Sequence, residues 1–156
     1  MRTANTVAAI VFLMDQATKL AVVQGMNLIE RGVIEVFAPF LVFRMAWNRG
    51  VNFGLFAGDS EIMRWVLIGL ALVISAWVWA WIQRDGAAPR AQIAAGLLIG
   101  GALGNVVDRV FYGAVADFLN MSCCGINNPY AFNVADISIF LGALGLVFVT
   151  GKRGAT

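Results

Sequence analysis

Four apolar runs of roughly 20 residues each, the length needed to cross a hydrocarbon core, constrain this chain more than anything else in it. They extend from about Thr6 to Val23, Met63 to Ile82, Gln92 to Phe111 and Phe132 to Thr150. Only 13% of the residues are charged, against about a quarter in a soluble domain, and 60% are hydrophobic. These features predict an all-α integral membrane bundle of four transmembrane helices in a single domain, residues 1–156. The second run ends in Trp77, Trp79 and Trp81, which suit an interfacial belt. The third carries Gly96, Gly100, Gly101 and Gly104, and the fourth Gly142 and Gly145. Small residues at these spacings let helices approach closely. Asp15 and Lys19 interrupt the first run and no small-x-small cleavage site follows, so it reads as a retained helix rather than a signal peptide.

Basic residues set the expected orientation. Arg2, Arg84, Arg90, Lys152 and Arg153 fall on one side of the membrane, and Arg31, Arg44 and Arg49 on the other. The bias predicts that both termini are cytoplasmic. The segments Gly25–Ile62 and Tyr112–Ala131 are then extracytoplasmic. Within the first, Val33 to Phe37 and Leu41 to Trp47 alternate β-branched and aromatic residues around Pro39 and read as two short strands with a turn. Its aromatic content predicts a segment lying on the membrane surface, and Phe53 and Phe56 are candidates for a lid.

Absent residue types narrow the chemistry. There is no histidine, which removes serine–histidine–aspartate and cysteine–histidine catalysis and histidine-ligated zinc. The two lysines, Lys19 and Lys152, have no obvious serine nucleophile beside them. Cys123 and Cys124 are adjacent, without metal-ligand spacing, and read as incidental loop residues or as a redox-sensitive or intermolecular thiol pair. A net charge of +2 without a basic, aromatic-interleaved cluster gives no sign of nucleic-acid binding.

Carboxylates remain. Val115-Ala116-Asp117-Phe118 and Phe132-Asn133-Val134-Ala135-Asp136 each place one aspartate at the edge of an apolar segment. A carboxylate near lipid is costly without partners or a task, so the two point to a paired-carboxylate site. Asp108 competes for that role. It shares a helix face with Asn105 and Arg109, whereas Asp117 lies beyond the helix end, where water is expected to reach it. Asn105, Asp108 and Arg109 read either as an interhelical hydrogen-bonded network or as groups surrounding a catalytic site. Asp15 and Lys19, four apart, form either a charge-compensating pair or a group that orients substrate. Asn48-Arg49-Gly50-Val51-Asn52-Phe53-Gly54 has the composition of a turn, with a ligand clamp as the rival reading.

Five blocks together resemble the bacterial lipoprotein signal peptidases, or signal peptidase II. They are Asp15-Gln16-Ala17-Thr18-Lys19, Asn48 to Phe53, Gly100 to Arg109, Val115 to Phe118 and Phe132 to Asp136. They stand in family order over nearly the whole chain, with no departure at a motif position. The resemblance implies an aspartyl endopeptidase of the bacterial cytoplasmic (inner) membrane with its site near the outer face. Such an enzyme removes signal peptides from diacylglyceryl-modified prolipoproteins, cutting just before the lipidated cysteine. It further implies Asp117 and Asp136 as the catalytic pair, with Asp15, Lys19, Asn48, Gly50, Asn105, Asp108, Arg109 and Asn133 binding substrate or supporting the pair. It also implies a small extracytoplasmic β-rich cradle at about residues 25–62, contact with membrane lipids and sensitivity to globomycin-type inhibitors. Two nearby carboxylates sharing one proton need no metal or organic cofactor. A different class is a small four-span ion- or proton-coupled transporter using Asp15, Asp108, Asp117 and Asp136 as relay groups. The lack of an inverted repeat weighs against it.

Overall fold

The computed structural model describes residues 2–50, 60–84, 87–125 and 128–151. Helix α1 (Arg2–Lys19) continues through a π-helical segment, Leu20–Gly25, and is followed by a single turn, α2 (Leu28–Arg31). Strands β1 (Val33–Phe37) and β2 (Leu41–Asn48) form a hairpin. Then come α3 (Ser60–Arg84), α4 (Pro89–Tyr112), β3 (Val115–Asn120) and α5 (Val134–Gly151). Phe53 and Phe56, the lid candidates, lie outside the described residues, as do Lys152 and Arg153.

Among the described residues, three helical segments are long and apolar enough to cross a membrane: Arg2–Gly25, Glu61–Gln83 and Pro89–Tyr112. Helix α5 carries a shorter apolar stretch, Val134–Val149. Outward-facing residues along the helices are strongly apolar, with Leu13, Val73, Phe140 and Phe148 all more than 60% exposed. A water-facing helix would carry its polar stripe there.

Small side chains decide how the helices meet. Helix α4 runs parallel to α1, with Gly96 against Ala4, Gly100 against Ala8 and Gly104 against Asp15. Helix α5 runs antiparallel to α4, with Ala135 against Gly101, and Gly142 against Leu98 and Ala94. A Cβ at Gly100 would sit 2.5 Å from the Ala8 carbonyl oxygen. Backbone cannot yield there as a side chain can. Gly100→Ala is therefore expected to destabilise the bundle by about 1–3 kcal/mol, read as a lowered thermal midpoint in detergent. An unchanged midpoint would mean that α1 and α4 can separate freely. At the far end from the sheet, Val78 and Ile82 of α3 pack with Ala91, Ala94, Ala95, Leu98 and Leu146.

The predicted hairpin is present, with Pro39 in its turn and an antiparallel register that pairs Val33 with Arg44 and Ile34 with Phe43. The sheet also has a third strand that the sequence reading did not contain. β3 pairs antiparallel with β2, setting Ala46 opposite Asp117 and Asn48 opposite Val115. Its short polar-apolar mixture has no clear alternation, because nearly every residue of β3 is buried on both faces. Val22 and Val23 from the π-helical segment and Leu28 from α2 pack with Ala116 and Phe118. The sheet therefore caps the end of the bundle where α1 and α4 finish and α5 begins.

Candidate functional site

Among the described residues, that junction gathers six of the nine buried polar side chains: Asp15, Lys19, Asn105, Asp108, Asp117 and Asn133. Helix α5 starts with a reciprocal cap. The Asp136 N–H donates to Asn133 Oδ1 at 2.9 Å, and the Asn133 N–H donates to Asp136 Oδ2 at 3.2 Å. This capping box satisfies two backbone donors that a helix start leaves open, and holds the Asp136 carboxylate at the positive end of the helix dipole. A third donor, the Ala135 N–H, is taken by Asp15 Oδ1 at 3.0 Å.

Asn133 also reaches across to β3. Its Nδ2 donates to Asp117 Oδ1 at 2.7 Å, and is 3.3 Å from Asn105 Oδ1. Asn105 in turn donates to Asp136 Oδ1 at 2.9 Å. Asn133 thus touches both focal carboxylates, and Asn105 braces the second. Asn48, at the end of β2, hydrogen-bonds to Asp117 through its side chain. Its Oδ1 accepts the Gly50 N–H at 3.0 Å, closing an Asx turn. The turn reading holds for Asn48–Gly50, and the Asn48 side chain reaches Asp117 as well. Gly50 has φ +102° and faces Leu67, where a side chain would be strained and crowded.

Beneath the pair lies a buried ionic cluster. Lys19 Nζ is 2.7 Å from both Asp15 Oδ2 and Asp108 Oδ2. Asp108 also accepts the Ala116 N–H at 3.1 Å, fixing the residue before Asp117. Gln16 Nε2 donates to Asp15 Oδ2 and lies 3.3 Å from Asp108 Oδ1. Arg109 donates from Nη1 to the Asn105 carbonyl and lies within electrostatic reach of Asp136, Asp117 and Asp108. Gly104 leaves the space occupied by Asp15, since a Cβ there would be 2.5 Å from Asp15 Oδ2.

The comparisons with known proteins agree on one family. Residues 7–151 match the family model for signal peptidase (SPase) II. The lipoprotein signal peptidase of Methylobacterium sp. (strain 4-46) is 43% identical over 143 residues, covering 92% of this chain and 85% of that protein. That of Rhizorhabdus wittichii is 42% identical over 141 residues, covering 90% and 81%. A solved bacterial membrane enzyme, determined in meso at 1.9 Å resolution, superimposes with a TM-score of 0.81 at 28% identity, covering 96% of this chain and 93% of that one. The chain belongs to the signal peptidase II family. It is a multi-pass bacterial membrane protein and a peptidase, and the transporter alternative is not favoured.

For a signal peptidase II chain, the accessibility argument that ranked Asp117 above Asp108 needs correction. Asp117 is 3% exposed and Asp108 1% exposed. The third strand buries Asp117, and a reading that placed it in a loop had no means of seeing this. What separates them is pairing: Asp108 is neutralised by Lys19 and tied to the Ala116 N–H, whereas Asp117 faces asparagine amides and a second carboxylate. Gln16 and Gly104 belong to the cluster but were not singled out as site residues. Their signal was spacing, with Gln16 beside Asp15 and Gly104 four residues before Asp108.

Burial first, and then the negative charge of Asp136, push the Asp117 carboxyl from 3.8 up to about 7, against the opposing hydrogen bonds from Asn48 and Asn133 and the charge of Lys19. The folded state therefore holds a proton that the unfolded chain has already lost between pH 3.8 and about 7. Stability is expected to fall as pH rises through that window. Thermal midpoints measured across it should decline in the wild type and decline less in Asp117→Asn. Equal slopes would assign the proton elsewhere.

Proposed function

We propose that this chain removes signal peptides from diacylglyceryl-modified prolipoproteins by an aspartyl mechanism, with Asp117 and Asp136 as the catalytic pair. The observation that carries this reading is Asn133, which hydrogen-bonds to both carboxylates at the meeting of β3 and α5. The raised Asp117 carboxyl lets the two share one proton near neutral pH. The ionised member takes a proton from an attacking water. The protonated member donates to the scissile carbonyl oxygen, and a proton then passes to the leaving amine. The pair titrates as a unit, so base and acid are roles of the pair rather than of fixed residues.

Asn105 and Asn48 hold the carboxylates in position, and Arg109 offsets part of their negative charge. Lys19, Asp15 and Asp108 lock the start of α5 to β3, which keeps the pair in register. Gly50 allows the Asn48 turn. We read all four long helices as transmembrane. Both termini are then cytoplasmic, and the sheet forms an extracytoplasmic cradle at the outer interface of the membrane. A substrate whose acyl chains stay in the bilayer presents its scissile bond at that depth, just before the lipidated cysteine. Globomycin-type inhibitors would compete there.

The test is cleavage of a diacylglyceryl-modified prolipoprotein by purified protein, with products mapped by mass spectrometry. Cleavage immediately before the lipidated cysteine is expected, and its kcat/KM should fall as pH rises above about 7, where the pair loses its shared proton. Cleavage elsewhere, or a rate that keeps rising through that pH, would overturn the shared-proton mechanism.

A further inference from the structure

The adjacent cysteines are the one chemically reactive pair that peptide hydrolysis leaves unused. Cys123 and Cys124 are both exposed and both free, in the segment that joins β3 to α5. The segment is anchored on either side of them. The Ser122 N–H donates to the Pro39 carbonyl at 3.2 Å, and Asn120 Nδ2 donates to the carbonyls of Asn128 and Tyr130, both at 2.8 Å. The two thiols are thus presented on a held turn rather than a free tail. Cys124 has φ +58° and Gly125 φ +80°, so the chain reverses sharply at the pair.

We propose that Cys123 and Cys124 form a thiol–disulfide exchange site that closes into a labile vicinal disulfide when met by a disulfide-bearing thiol oxidoreductase. The geometry accounts for both halves of that statement. Adjacent Cα atoms are about 3.8 Å apart, below the roughly 4.4–6.8 Å usual for disulfides. The bond spans a single peptide unit within one turn, and it is strained. Strained and exposed disulfides are the readily reduced ones.

The exchange balances without another reactant. One cysteine thiolate attacks a sulfur of the partner disulfide, forming a mixed disulfide and releasing one partner thiolate. The neighbouring cysteine thiolate then attacks its own chain's sulfur in that mixed disulfide. This forms the Cys123–Cys124 bond and releases the second partner thiolate. Two electrons pass to the partner, which is reduced to its dithiol. The two protons lost by the cysteines leave with the partner or go to solvent.

The test uses the full chain in detergent, with oxidised glutathione as the probe disulfide. In the wild type, intact mass should fall by about 2 Da, the two hydrogens lost on closing a disulfide, with the protein remaining monomeric on a non-reducing gel. Two maleimide-reactive thiols should become unreactive. C123S and C124S should each stop at the glutathione adduct, because neither retains a resolving thiol. Mild reductant that leaves an ordinary structural disulfide intact should reopen the wild-type bond. Prolipoprotein cleavage by both variants should match the wild type, which separates this site from the peptidase centre. A wild type that retains two reactive thiols, stops at the mixed disulfide or forms a disulfide-linked dimer would overturn the proposal.

Discussion

Asp117→Asn and Asp136→Asn are each expected to lower the kcat for prolipoprotein cleavage by about 10²–10⁴-fold, with little change in KM. Asparagine preserves the shape of the carboxylate but removes its proton chemistry. The Asn133 amide that donates to Asp117 Oδ1 at 2.7 Å still finds an acceptor oxygen in the variant. At 136 the side-chain oxygen can keep accepting the Asn133 N–H in the α5 cap, so the variants should fold. Because the pair works as one unit, the double variant should be barely slower than either single one. Multiplicative losses would show that the residues act independently. Full activity in either single variant would remove that residue from the pair and turn attention to Asp108, another buried carboxylate near the site.

Lys19→Met should give the largest loss of stability, about 3–5 kcal/mol, because it strips the counter-charge from a buried cluster. Its ammonium lies 2.7 Å from both Asp15 and Asp108, which are 0% and 1% exposed in their side chains. Without it, two buried carboxylates are left with no counter-charge between them. Asp15 would still accept from the Ala135 N–H and Asp108 from the Ala116 N–H, but single hydrogen bonds do not replace a shared cation. Chemical denaturation or a thermal ramp in detergent measures the loss. Adding Asp108→Asn to Lys19→Met should restore part of the stability, since one of the unpaired charges disappears. A double variant no more stable than Lys19→Met would show that Asp108 does not need its partner.

Much of the architecture was legible because lipid imposes simple rules. The long apolar runs had to be helices, since a membrane interior offers backbone groups no other partner. The glycines of α4 were readable as contact points because their spacing returns to the same faces. The hairpin was readable from β-branched and aromatic residues flanking Pro39, and the structure carries strands at Val33–Phe37 and Leu41–Asn48. The Asp15–Lys19 pair was visible as a helical spacing of four, and the local half of its ion cluster followed from that.

The remaining half of the site is tertiary. Asp108 reaches Lys19 only because glycines bring α4 against α1, and no spacing rule links residues 89 positions apart. Strand β3 was not visible because it is buried on both faces, so it lacks the alternation that marks a strand with one solvent-facing side. That strand overturned the expectation of a solvent-accessible Asp117 and, by burying it beside Asp136, raised its carboxyl. Residue types and order alone determined that this chain enters a membrane, that carboxylates are its available acid–base groups and which family motifs it carries. Only the folded chain decided that Asn133 would join two aspartates 19 positions apart, because that contact depends on where β3 ends and α5 begins.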